Sequence, residues 1–376
     1  MMKIYKQWLQ YSLASIVSIV FLVSVFNYKI DSLSIYGNSN YLSDATQSLV
    51  NGKMIAGLKN YDERVFQKLV INNLHVKNDV IVIGSSRSMK VRKHFISNQK
   101  LNFFNHSVSG ASLEDYIAII GIYEKTHGYI PSTVIFGIDP WIFNKNSGLS
   151  RWKSLENYYD FEMGKVQRKK EKTDFWALNT AKWKQLFNYD YTMANIQFYK
   201  SVILENEKIF YVTNTLDIND SIKLPDGSTV DPYSERSPED DKVEQLAKAY
   251  TQGTVFALNN YYAMDNVELF ENFIAYLQSK GINVIFFLPP YHPTTYDILG
   301  NDKKYSHIII AEKYLKKFAI RRHIKLYGSF NPHTYGFINK DFLDGMHGRE
   351  NVAKKSFEPN SMYNTVLSGE KVTIEH

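Results

Sequence analysis

Between Lys6 and Lys29 the chain carries no charged residue, and no other feature limits its folding so strongly. The stretch Gln7–Tyr28 has 22 residues and is rich in Leu, Ile, Val and Phe. As a helix rising about 1.5 Å per residue it would reach roughly 33 Å, enough to cross the hydrocarbon core of a bilayer. Trp8 and Tyr11 stand at one end and Tyr28 at the other, where aromatic rings favour the membrane interface. Lys3 and Lys6 precede the stretch, so the positive-inside tendency places residues 1–6 in the cytoplasm and the rest of the chain outside. The end of the stretch, Val23-Ser24-Val25-Phe26-Asn27, fits a signal-peptidase site poorly, which favours an uncleaved anchor. No later stretch is both long and uncharged enough to span. The expectation is one anchor over 7–28 and one large extracytoplasmic body.

Composition narrows the body. The chain has 376 residues, 44% hydrophobic and 22% charged, an ordinary globular balance with ample length for a core. It has no cysteine, which removes disulfides, thiol nucleophiles, thiolate zinc sites and iron–sulfur clusters. A net charge of +6 is too dilute for a nucleic-acid face. The densest basic run, Arg168-Lys169-Lys170-Glu171-Lys172, reads as a solvated helix face. No Gly-x-x-x-x-Gly-Lys phosphate loop is present, and no cofactor is called for.

Residues 29–78 read as a mixed, partly helical lead-in. A regular alternation follows. Strands are expected at Asp79–Ser85, Asn102–Val108, Thr133–Ile138, Ile282–Leu288 and Ile324–Tyr327, and helices at Leu113–His127, Val267–Lys280 and Tyr305–Arg322. Such alternation predicts an α/β fold with a parallel sheet covered on both faces. About 120 residues, from Pro140 to Ala257, interrupt it. They are rich in Tyr, Trp, Lys and Asn, and include Trp152, Asn157-Tyr158-Tyr159, Phe175-Trp176 and Tyr189-Asp190-Tyr191. Pro225-Asp226-Gly227-Ser228 within them suggests a hairpin or loop. The region reads as an insertion on the rim of the sheet, with rings suited to stacking on sugars.

Ligands of open α/β sheets bind beyond the carboxyl ends of the strands. At those ends stand Gly84-Ser85-Ser86-Arg87-Ser88, Ser107-Val108-Ser109-Gly110, Gly137-Ile138-Asp139-Pro140 and Leu288-Pro289-Pro290-Tyr291-His292. Asp344-Gly345-Met346-His347 lies near the end of the alternation. A serine hydroxyl is a poor nucleophile until a base takes its proton. Histidine titrates near neutrality, and a carboxylate on its other nitrogen fixes the tautomer. Asp344 and His347, three apart, can face one serine together. A metal site from His292, His333, Asp344 and His347 lacks the His-x-x-x-His spacing of helix ligation.

These segments, in this order over about residues 79–350, resemble the sequence blocks of the SGNH/GDSL hydrolase superfamily. The resemblance implies a flavodoxin-like three-layer sandwich and a catalytic set of Ser86, Asp344 and His347. It makes Gly110 an oxyanion donor. The third block departs from the family's Gly-x-Asn-Asp, because Asp139 cannot donate as an asparagine amide does. The oxyanion would then rest on the backbone N–H groups of Ser86 and Gly110 or on another group, Asn144 being one candidate; Arg87 reads either as a group for an anionic substrate or as a structural ion pair, and His292 either as a substrate contact or as part of a rigid proline loop. An anchored body of this kind is similar to the D-alanyl-lipoteichoic acid transfer proteins. That similarity implies acyl transfer to or from a bacterial cell-surface polysaccharide, with an acyl carrier as substrate and a multi-pass O-acyltransferase as a partner. A non-catalytic glycan- or partner-binding protein and a plain esterase are the alternatives.

Overall fold

The computed structural model of the protein describes residues 2–32, 35–36, 41–59, 61–96, 100–167, 183–237, 239–253 and 255–358. The basic run Arg168–Lys172 and the pair Phe175-Trp176 lie outside the described residues.

Two sheets organise the body. The larger is wholly parallel and has five strands: β2 (Val80–Gly84), β3 (Phe103–Asn105), β4 (Thr133–Gly137), β8 (Asn283–Leu288) and β9 (Lys325–Gly328). Their spatial order is β3-β2-β4-β8-β9. These are short runs of branched and aromatic residues, and every residue of β2 is buried. Successive side chains point to opposite faces, so each strand feeds two cores. Ile81, Ile83, Val134, Phe136, Val284 and Phe286 pack into one cluster with α4 (Leu113–His127), α8 (Val267–Ser279) and α10 (His307–Arg321). Val80, Val82, Ile135, Ile285 and Phe287 pack into a smaller one with Val91, Phe103, Ala353 and Phe357. Ala353 comes from the short helix α11 (Glu350–Ser356). Both faces are therefore covered, one thickly and one thinly.

The expected helix at 113–127 forms with those bounds, started by Asp115, whose carboxylate accepts from the Ser112 N–H at 2.9 Å. The strand expected at 102–108 is regular only over Phe103–Asn105. Its continuation still follows β2, because the His106 and Val108 N–H groups donate to the Val82 and Gly84 carbonyls.

The second sheet is antiparallel, in the order β5-β1-β6-β7. Its inner strand β1 (Met54–Ala56) belongs to the lead-in, whereas β5 (Tyr211–Thr213), β6 (Ile222–Lys223) and β7 (Thr229–Val230) belong to the inserted region. Lead-in and insertion, read from sequence as separate segments, thus build one sheet. The lead-in is also tied to the main body. Arg64, on α3 (Glu63–Asn72), is buried against Asp115 of α4, its Nε and Nη2 each 2.9 Å from a carboxylate oxygen.

The 224–228 segment closes the β6–β7 hairpin, and its tip covers the outer edge of β3. The Asn105 N–H donates to the Asp226 carbonyl at 2.8 Å, which pairs a backbone group an edge strand would otherwise expose. Gly227 makes this approach possible. Its φ is +79°, and a Cβ there would lie 2.4 Å from the Asn105 oxygen.

The N-terminal helix α1 (Met2–Ile30) is, over Ile4–Ile30, long and apolar enough to cross a membrane, with mean hydropathy 2.0. Its last turn touches the body through Asn27, which is fully buried. Asn27 Nδ2 donates to the Leu186 carbonyl and Thr192 Oγ1, and Asn27 Oδ1 accepts from Asn195 Nδ2.

Gly227→Ala is expected to destabilise the body by about 1–3 kcal/mol, through overpacking and the left-handed backbone. Denaturant unfolding of the detergent-solubilised chain measures it.

Candidate active site

β2 ends at Gly84, and the chain turns through Ser85 into a single helical turn, Ser86–Ser88. Small residues are needed there for a steric reason. The Ser88 side chain sits between the backbones of Gly84 and Gly137, and a Cβ on Gly137 would lie 1.8 Å from Ser88 Oγ. The neighbouring strands β2 and β4 can therefore close over this turn, leaving Ser86 half-exposed at the sheet's carboxyl edge.

The second half of the site arrives from residues 342–348. Phe342 and Gly348 form a bridge, and the Leu343 N–H donates to the His347 carbonyl at 2.9 Å. This tight loop folds Asp344 back under its own successors. Asp344 Oδ1 accepts from the backbone N–H groups of Met346 and His347 at 2.8 Å each. Asp344 Oδ2 lies 2.8 Å from His347 Nδ1, and His347 Nε2 lies 2.9 Å from Ser86 Oγ. Residues 261 positions apart thus form one hydrogen-bonded chain. With an ionised carboxylate on Nδ1, that nitrogen holds the ring proton, and Nε2 is left to accept from the hydroxyl. Such a chain can draw a proton from Ser86 and return it to a leaving group.

Ser86, Asp344 and His347 open onto a cleft of about 770 Å³. Its far wall comes from the insertion: Ser221, Thr229, Asp231, Ser234, Glu235 and Lys242 among others. Among the described residues, its apolar lining comes from Met89, Leu246 and Leu343, with no Phe, Tyr or Trp. Among the described rings of the insertion, Trp152 lies 4.8 Å from Tyr159, and Tyr191 donates to Asp31 at the end of α1.

Residues 17–347 match a family described only as a protein of unknown function, DUF1574. The chain belongs to the DUF1574 family. The matched span contains Ser86, Asp344 and His347. No curated protein matches the chain.

The remaining expected site residues are placed differently. Arg87 takes the structural ion pair of its two readings, and not the substrate role. Its guanidinium is buried. It pairs with Asp139 at 2.6 Å, donates to the Met346 carbonyl at 3.0 Å and the Pro289 carbonyl at 2.5 Å, and lies 3.9 Å from the centre of the Tyr291 ring. Asp139 is correspondingly buried. Burial pushes its carboxyl up, and the Arg87 charge opposes that. Asn144 is also used structurally: its amide donates to the Ala257 and Asn259 carbonyls, so it does not serve as an oxyanion donor. His292 is buried behind the Asp344 loop. Its N–H donates to the Gly345 carbonyl and its Nδ1 accepts from the Thr294 N–H. Burial lowers its pKa. His333 pairs with Asp297 at 2.8 Å on an exposed surface, away from this set of contacts. Gly110 does not line the cleft; its carbonyl lies 3.4 Å from Arg64 Nη2, and Phe256 packs on its α-carbon. Among the described residues no acceptor engages the backbone N–H of Ser86 or of Gly110.

Burial pushes the Asp344 carboxyl up. The hydrogen bond and charge of His347, with the two backbone donors, outweigh this and hold it at about 2. The folded value lies below the ordinary 3.8, so the ionised group supports the fold fully above about pH 4 and ceases to do so as pH falls through about 2. Asp344→Asn should therefore unfold more easily than the parent above pH 4, and the gap in urea midpoint should close between about pH 4 and pH 2.

Arg87→Ala is expected to cost about 3–5 kcal/mol, because it strands the Asp139 charge in the interior. Urea unfolding of parent and variant measures this directly.

Proposed function

We propose that this chain is a membrane-anchored serine acyl-transfer enzyme of the SGNH type that O-acylates or deacylates a bacterial cell-surface polysaccharide. The observation that carries the proposal is the hydrogen-bonded chain Ser86–His347–Asp344, opening onto a polar cleft at the carboxyl edge of a parallel sheet. The strand order, second-first-third-fourth-fifth along the chain, is that of flavodoxin-like doubly wound sheets, which supports a three-layer SGNH-like arrangement. Lys3 and Lys6, in the first turns of α1 ahead of its uncharged run, support an N-terminus inside the cytoplasmic membrane and the cleft outside. A hydroxyl-rich and charged cleft favours a sugar over a lipid chain.

The chemistry runs in two halves. Ser86 Oγ adds to the acyl carbonyl carbon as its proton passes to His347 Nε2. The carbonyl oxygen takes the negative charge beside the backbone N–H of Ser86, a donor worth about 3 kcal/mol if aligned. Collapse expels the alcohol, which takes the proton from His347, and the acyl group stays as an ester on Ser86. A second hydroxyl, from sugar or water, then gives its proton to His347 and attacks that ester. Ser86 leaves and recovers the proton. A polysaccharide acceptor, an acyl-carrier donor and a multi-pass O-acyltransferase alongside fit this cycle.

One observation favours a second reading, a non-catalytic envelope protein on the same scaffold. Asp139 and Asn144 are both committed to internal contacts, so no side-chain amide from this segment reaches the oxyanion. A serine-reactive phosphonate separates the two. Labelling of Ser86, with ester turnover falling at least on the order of a thousandfold in Ser86→Ala, is the expected result. Equal turnover by parent and variant, with no labelling, would leave the non-catalytic reading.

A further inference from the structure

We infer that the helix α6 (Tyr189–Phe198) and its π-helical continuation Tyr199–Leu204 seat an apolar face in the lipid leaflet at the C-terminal end of α1. This goes beyond acyl transfer; it rests on α1 spanning the bilayer and not on any chemistry at Ser86.

Three observations converge. The first is the helix pattern. Tyr191, Asn195 and Phe198 are buried, one face at helical spacing turned to the protein. Tyr189, Met193 and Ile196 form a second face of the α-helix, Tyr189 being 75% exposed, and at about 100° per residue it lies roughly opposite the first. Ile203 and Leu204 of the π-helical continuation are exposed as well, Leu204 by 66%. A surface helix of a soluble body turns polar residues outward. Here the outward side is apolar and needs an apolar neighbour.

The second observation is position. α6 meets α1 near the C-terminal end of its uncharged run. Asn27 bonds to Leu186, Thr192 and Asn195, and the ring centres of Phe26 and Tyr199 are 6.2 Å apart. The outward face of α6 therefore begins at the level where α1 leaves the hydrocarbon. The flanking α1 residues Phe21, Leu22 and Val25 are exposed as well, and the Phe26–Tyr199 ring contact joins the two helices beside them.

The third is residue type. Trp183, Phe187, Tyr189 and Tyr199 bring four exposed rings to this level. Such rings favour the headgroup region. Lys200 falls within the outward face, and a lysine stem lies along apolar surface while its ammonium reaches water. A bilayer accepts that arrangement, as it does an interfacial helix generally. The buried Asn27 contacts would then lock α6 to the anchor and hold the body at a set orientation on the leaflet.

The absence of cysteine makes the test direct. Ile196→Cys, Ala14→Cys and Tyr262→Cys each place one thiol on the full-length chain, Tyr262 being 78% exposed. Each variant is nitroxide-labelled and reconstituted in phosphatidylcholine vesicles, and its spin relaxation is measured with dissolved oxygen and with a water-soluble nickel chelate. The expected result is that the labels at 14 and 196 respond severalfold more to oxygen than to nickel, and the label at 262 the reverse. A label at 196 that responds as the one at 262 does would overturn the inference. So would shielding at 196 from both reagents, or shielding that disappears as lipid is added at fixed protein, since either means that protein covers this face. A nickel-accessible label at 14 removes the anchor and the inference with it. Phosphonate labelling at Ser86 bears on none of these outcomes.

Discussion

The guanidinium of Arg87 holds the site together. It follows Ser86 directly, at the end of β2, and it reaches Asp139 after β4, the Pro289 carbonyl after β8, and the Met346 carbonyl beside His347. Four chain segments that carry the site are thus joined through one planar group. Arginine suits the task because its donors point in fixed directions and it keeps its charge when buried. The ring of Tyr291 covers one face of the group. Without this strut the serine turn and the histidine loop would be linked by the Ser86–His347 hydrogen bond and by Lys90, whose ammonium donates to the Gly348 carbonyl at 2.9 Å.

The cleft depends on a different part of the molecule. The parallel sheet supplies the floor, but the far wall comes from residues between 221 and 246. That wall is held by the antiparallel sheet, one of whose inner strands arrives from the lead-in that follows the long apolar helix α1. The N-terminal helix, lead-in, insertion and candidate site are therefore mechanically continuous. Arg64–Asp115 joins the lead-in to the main core, and the Asp226 turn joins the insertion to β3.

Much of the main sheet was legible in the residues. Short buried runs of Val, Ile and Phe, separated by amphipathic helices, announce parallel strands because both of their faces must be apolar. The expected helix at 113–127 has those bounds in the structure, and the strands at 80–84 and 133–137 lie within the expected ones. The Ser86, Asp344 and His347 set was legible for a related reason: each stands in a turn of small residues beyond the body of an element. The role of Asn144 was not. Its amide is a natural oxyanion donor by type, and only its partners, the Ala257 and Asn259 carbonyls, reveal that it is already engaged inside the protein. The lead-in strand Met54–Ala56 was missed because three residues carry no periodicity and its partners lie more than 150 positions away.

By itself, then, the sequence determined what local patterning can determine: a helix long and apolar enough to span, an alternating α/β body, and small-residue turns at strand ends. These follow from nearest neighbours along the chain, where hydropathy and backbone preference act. Tertiary structure alone decided which polar groups face the cleft and which are consumed within the fold. It also decided that the insertion walls the cleft with hydroxyls and charges, and that α6 exposes apolar side chains beside the C-terminal end of α1. Those outcomes depend on which distant surfaces meet, and a side chain's chemistry becomes available or spent only when its partner across space is known.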